Sequence, residues 1–101
     1  MTTTPASQHL PVAVVIPAFN EAASIGHVLD DLDPDWCNPV VVVDNGSTDK
    51  TAVVARSHGA IVVSEPRRGY GSACLAGISW VLSESDRSIV LFIDADYSDH
   101  P

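Results

Sequence analysis

Four short apolar runs, each breaking off into a polar loop, constrain the fold of this chain most. They are Pro11-Val12-Ala13-Val14-Val15-Ile16-Pro17, Val40-Val41-Val42-Val43, Ala60-Ile61-Val62-Val63 and Ile89-Val90-Leu91-Phe92-Ile93. None alternates apolar with polar residues, so each reads as a strand buried on both faces, the pattern of a parallel sheet covered by helices. Helical periods lie between them. Ile25, Val28, Leu29 and Leu32 form one apolar helix face, with Asn20 as candidate N-cap, Glu21 as a negative charge near the first turn, and Asp33-Pro34-Asp35 as the stop. Residues 50–58 read as a short helix closed by Gly59. Residues 72–83 read as a third helix, presenting Cys74, Leu75, Ile78, Val81 and Leu82 on one side. The order is βαβαβαβ without a hairpin signal. It predicts an α/β fold, a Rossmann-like, doubly wound parallel sheet with right-handed crossovers.

The 101 residues allow one domain with a small core. Residues 1–10 are expected to be a flexible, Thr-rich tail and residues 11–101 the domain. A hydrophobic content of 46% with 18% charged residues argues for a globular chain. The formal net charge is −8, with 13 acidic and 5 basic residues. That balance argues against gripping the phosphate backbone of nucleic acid or an anionic lipid surface directly. An acidic protein that handles phosphates needs a cation between them. Cys37 and Cys74 are too few for a disulfide framework or a zinc site and read as reduced thiols, with Cys74 packed on a helix. No secretory signal and no apolar run of membrane-spanning length is visible, so the cytoplasm is the default expectation.

In a sheet of this kind ligands sit outside the carboxyl ends of the strands. Asn20 and Glu21 follow the first strand, Asp44 and Asn45 the second, Arg67 and Arg68 the third, Asp94 and Asp96 the fourth. Side chains two apart on a strand point the same way. Asp94 and Asp96 can therefore converge on one hard cation, Mg²⁺ or Mn²⁺, whose remaining positions phosphate oxygens and water would fill. Solvated acids in a turn are the competing reading, as an Asx turn is for Asp44 and Asn45. Arg68 can face a phosphate or simply lie in solvent. Phe19 and Tyr70 can stack on a base, although aromatics beside glycine turns are as often core or lid residues. The four histidines show no ligand spacing.

Gly69-Tyr70-Gly71-Ser72-Ala73-Cys74 is similar to a Gly-x-Gly-x-x-Gly fingerprint opening a helix, with Asp94 as a ribose acid, which would mean a dinucleotide-binding module. The fit is poor. Cys74 stands at the third glycine, four residues separate the strand from Gly69, and the strand is the third.

Taken together, Val14-Val15-Ile16-Pro17-Ala18-Phe19-Asn20-Glu21, Val42-Val43-Asp44-Asn45-Gly46-Ser47-Thr48-Asp49-Lys50-Thr51, Gly69-Tyr70-Gly71-Ser72-Ala73 and Asp94-Ala95-Asp96 resemble the amino-terminal half of an inverting glycosyltransferase of family 2. Residues 94–101 are especially similar to dolichyl- or polyprenyl-phosphate sugar synthases. The resemblance implies the nucleotide-binding half of a GT-A fold. It implies transfer from a nucleotide-diphosphate sugar, with inversion, to an acceptor for which a lipid phosphate such as polyprenyl phosphate is the expectation. It places Pro17, Ala18, Phe19, Glu21, Asp44, Asn45, Arg68 and Asp94 at the nucleotide sugar, and Asp94 and Asp96 at Mg²⁺ or Mn²⁺. Asn45 departs from the Asp that many members carry there, although an amide can still bond a ribose hydroxyl. The general base and the acceptor site are expected beyond Pro101. The chain thus reads as a donor half, truncated after the Asp-x-Asp, in need of a C-terminal half or an oligomeric partner. A full-length form would work at the cytoplasmic face of a membrane. A non-catalytic nucleotide- or metal-binding fragment is the alternative.

Overall fold

The most apolar run of the chain forms the strand best protected by its neighbours. In the computed structural model, which describes residues 11–96, β1 (Val12–Ala18) pairs on one side with β2 (Cys37–Asp44) and on the other with β4 (Val90–Phe92). The outer neighbour of β2 is β3 (Ile61–Ser64), and all pairings are parallel, giving the sheet order β3-β2-β1-β4. The helices are α1 (Ile25–Asp30), α2 (Thr51–Ser57) and α3 (Tyr70–Glu84). The expected tail 1–10 and residues 97–101 fall outside the described residues.

Alternation along β1 divides the core into two layers. Val14 and Ile16 face one side, where Ile25, Val28 and Leu29 of α1 and Ala55 of α2 cover them. Ala13 and Val15 face the other, against Ala73 and Val81 of α3. The predicted α/β, Rossmann-like architecture is therefore present, as three layers. The direction of winding reverses between β1 and β4, which makes their carboxyl ends the topological switch point, where such sheets bind ligands.

Register sets the rim of the site. Ala18 is level with Asp44, and Asp44 with Ser64, so three strands end together. On the other side Phe92 pairs with Val15, and the Ile93 amide donates to the Val15 carbonyl at 3.1 Å. The residues after β4 thus run on beside the end of β1.

Two expectations are corrected. Asn20 does not cap α1. It adopts φ 54° in the loop, and Ser24 holds the N-cap position. The buried side of α3 is not the leucine side. Ala73, Gly77 and Val81 face the sheet, while Leu75 and Leu82 are 67% and 73% exposed. Cys74 is half-buried and Ile78 likewise. The reason is close approach: a Cβ built on Gly77 would collide with Val15 Cγ1, so the helix lies nearest the sheet along its small residues.

Candidate functional site

The loop after β1 and the loop after β2 are locked together by side chains that look like ordinary turn formers in the sequence. The Asn20 amide donates to Ser47 Oγ at 2.9 Å, and Asn20 Oδ1 accepts from the Thr48 amide at 2.8 Å. Asp49 Oδ2 accepts from the Ala22 amide at 3.2 Å, and the Glu21 amide donates to Thr51 Oγ1 at 2.9 Å. Thr51 is fully buried, and its hydroxyl donates to Asp49 Oδ1. Hydrogen bonding from Thr51 holds the Asp49 carboxyl below the usual carboxylate range, against a smaller opposing effect of desolvation. This clasp fixes the path of Phe19 and Glu21.

A second lock fixes the loop before α3. Asn45 is 5% exposed. Its Nδ2 donates to the Glu65 and Arg67 carbonyls at 2.8 and 2.7 Å, and its Oδ1 accepts from the Gly69 amide at 3.0 Å. The loop thereby brings Arg68 over Phe19, with the guanidinium carbon 3.6 Å from the ring centroid, a cation–π contact. Gly69, at φ 128°, turns the chain into α3, a backbone conformation that favours glycine.

These locks enclose a cleft of about 250 Å³ lined by Pro17, Ala18, Phe19, Glu21, Asn45, Arg68, Gly69 and Tyr70. Six of the sequence-selected residues are thus brought together: Pro17, Ala18, Phe19, Glu21, Asn45 and Arg68. Asp44 is not in the lining; its Oδ1 accepts from the Ser47 amide at 3.0 Å, the turn bond expected of an Asx residue. Asp94 is not in the lining either, but lies near enough to Tyr70 to influence it. The Tyr70 hydroxyl is pushed above its ordinary value, chiefly by its hydrogen bond with Cys74, then by desolvation, with the Asp94 charge adding to it. Gly69 joins the lining without a sequence signal for it, and Tyr70, open in the sequence between base stacking and a core or lid role, lies in it too. The aromatic between two glycines just before a helix was the available signal for Tyr70.

A larger cleft of about 330 Å³ lies at the opposite edge, among Leu29, Pro34, Cys37, Asn38 and His58. It faces the amino ends of β2 and β3, the wrong edge for a ligand of an open parallel sheet, so the smaller cleft is the candidate site. Burial, and then the nearby Asp33 charge, push the Cys37 thiol up, so that thiol in the larger cleft is not an activated nucleophile.

Beside the chosen cleft, Ala95 is buried in the α1-side core while Asp94 is exposed and Asp96 half-buried. The described residues contain no group of three His, Cys, Asp or Glu side chains able to enclose a metal. Two flanking carboxylates with no third ligand among the described residues would suit a cation that shares its shell with a ligand's phosphates and with water. The fingerprint of a dinucleotide fold does not fit. β3 and β4 occupy opposite edges of the sheet, so Asp94 does not close the strand next to the one that Gly69-Tyr70-Gly71 follow, as that fingerprint requires.

Residues 13–101 match the family model described as glycosyl transferase family 2. An uncharacterized glycosyltransferase of Mycobacterium bovis is 48% identical over 87 residues, covering 86% of this chain and 37% of the relative. Glucosyl-3-phosphoglycerate synthase of Mycobacterium tuberculosis, crystallised with Mn²⁺, UDP and glucosyl-3-phosphoglycerate, superposes with a TM-score of 0.73 at 35% identity, over 90% of this chain and 36% of that one. Mannosyl-3-phosphoglycerate synthase of Rubrobacter xylanophilus superposes with a TM-score of 0.75 at 33% identity, over 91% and 32%. The chain therefore spans about a third of the length of these three proteins.

Proposed function

Because this chain belongs to glycosyl transferase family 2 and has the GT-A fold, we propose that it supplies the donor-binding part of a nucleotide-sugar-dependent glycosyltransferase. The observation that carries this reading is the convergence of Pro17, Phe19, Glu21 and Arg68 on one cleft beside the acids that follow β4. The cleft is smaller than the ~300–1,000 Å³ of a pocket that swallows a whole ligand. It suits a nucleoside, with the diphosphate leaving it across the switch point toward Asp94 and Asp96.

Each residue has a defined task. Phe19, already stacked by Arg68, presents an aromatic edge to the base, and Glu21 accepts from ribose hydroxyls. Arg68 has no acidic partner among the described residues and can turn to a phosphate. Asn45 acts through the loop, since both amide hydrogens are committed to carbonyls. Asp94 and Asp96 hold Mg²⁺ or Mn²⁺. The cation, when bound, stabilises the charge of the departing nucleoside diphosphate as a Lewis acid.

We assign the acceptor site to the part of the relatives' length that this chain does not span. The resemblance implies a lipid phosphate, whereas glucosyl-3-phosphoglycerate synthase of Mycobacterium tuberculosis was crystallised with phosphoglyceric acid. A phosphorylated acceptor is common to both. For the donor half, calorimetric titration with UDP and GDP, with and without Mn²⁺, is the test. We expect Mn²⁺-dependent binding that Asp96→Asn abolishes. Unchanged Mn²⁺-dependent affinity in that variant refutes the site, and binding of NAD without metal would favour a dinucleotide module instead. Binding without sugar transfer, under supply of either acceptor, identifies a donor-binding fragment.

A further inference from the structure

The crevice between the ends of β1 and β4 is crossed by a bond that the donor reading does not use. Ser24 stands at the N-cap position of α1, yet its side chain makes no capping hydrogen bond. Its Oγ donates instead to the Ala95 carbonyl at 2.9 Å, joining residues 71 apart in the chain. Glu21 Oε1 lies 3.2 Å from the same oxygen, and the Glu21 carbonyl 3.5 Å away. A hydroxyl carries one proton, so these acceptors compete for it, and the shortest contact is to Ala95.

Ala95 is the residue between the two acids. Its methyl is packed in the cluster that contains Ala18 and Ile25, and its carbonyl is taken by Ser24. Both handles of this residue are therefore anchored to the end of β1 and the start of α1. A serine that forgoes the cap for which it is favoured, in order to reach the opposite lip of the crevice, is placed for alignment.

We propose that Ser24 is a positioning residue that latches the 94–96 segment to the Glu21 side of the nucleoside cleft, fixing the separation that a donor diphosphate must span. The role rests on the donor reading given above. It assigns Ser24 no contact with the substrate; the hydroxyl acts through Ala95 and Glu21. Misplacing a ligand-holding group by a fraction of an ångström is enough to weaken a site built on hard carboxylates.

The experiment uses the whole chain, unaltered and as Ser24→Ala and Ser24→Thr, titrated calorimetrically with UDP and with GDP in the presence and absence of Mn²⁺. Thermal melts without ligand run in parallel. The expected result is a loss of about tenfold in Mn²⁺-dependent affinity for Ser24→Ala, the scale of one lost hydrogen bond. Metal-free affinity should change by less than about twofold, and Ser24→Thr, which keeps the hydroxyl, should recover most of the loss. Equal losses with and without Mn²⁺, an unchanged Mn²⁺ dependence, or a Ser24→Ala chain that is unfolded at the assay temperature would each overturn the latch. If the unaltered chain binds neither nucleotide in an Mn²⁺-dependent way, the donor reading falls and the latch with it. If only the variant comparison fails, the latch alone falls.

Discussion

Asn45 donates both amide hydrogens to carbonyls of the loop before α3 and accepts one hydrogen from Gly69. A carboxylate in the same place would face two carbonyl oxygens with no proton to offer, which explains why an amide stands here. Asn45→Asp should therefore destabilise the chain by about 2 kcal/mol or more, read as a lower urea midpoint, and should weaken nucleotide binding through the displaced loop. Asp49 gives a pH-dependent counterpart. Because its carboxyl is held below its ordinary value of 3.8, its contribution to stability is fully present above that value and is lost as the pH falls through the lower folded value. The melting temperature of Asp49→Asn should thus fall less steeply below pH 4 than that of the unaltered chain. Phe19 and Glu21 were legible in the sequence because they follow directly on a strand. The work of Asn45 was not, since its carbonyl partners lie 20 and 22 residues away, and no local spacing encodes them. Asn20 was misassigned for the same reason: its side-chain oxygen serves Thr48 and Asp49 in another loop rather than the helix that follows it.

At the level of elements, the sequence shows where strands and helices lie but not which way α3 turns. Counting large apolar residues points its Leu75 and Leu82 inward; the structure turns them out and places Gly77 against Val15. Helix-to-sheet distance decides this, and hydrophobic periodicity carries no information about distance. Gly77→Ala should cost about 1–3 kcal/mol by overpacking even though alanine is the better helix former, and Val15→Ala in the same chain should recover part of the loss. Leu82→Gln, by contrast, should shift stability by no more than about 0.5 kcal/mol. Chemical denaturation of the single and double variants separates the two faces of the helix.

Across the whole molecule, the strands differ in how well they are held. β1 has paired neighbours on both sides and helices over both faces, whereas β4 is three residues long and, among the described residues, joined only to β1. Leu91 and Phe92 are 48% and 38% exposed, so neither face of β4 is fully covered among the described residues. Among the described residues β4 is thus an open apolar edge. Such an edge invites pairing, and we expect concentration-dependent self-association in sedimentation velocity that Leu91→Lys reduces. Hydrogen exchange should follow the same gradient, with the amides of Val14, Val15 and Ile16 slowest and those of β4 among the first to open. The acids proposed to hold the cation follow the weakly held strand, while Phe19 and Glu21 follow the firmly held one. Whatever spans the two lips of the crevice thereby rivets a loose plank to the keel, and occupancy of the site should be felt as a stiffening of the whole sheet margin.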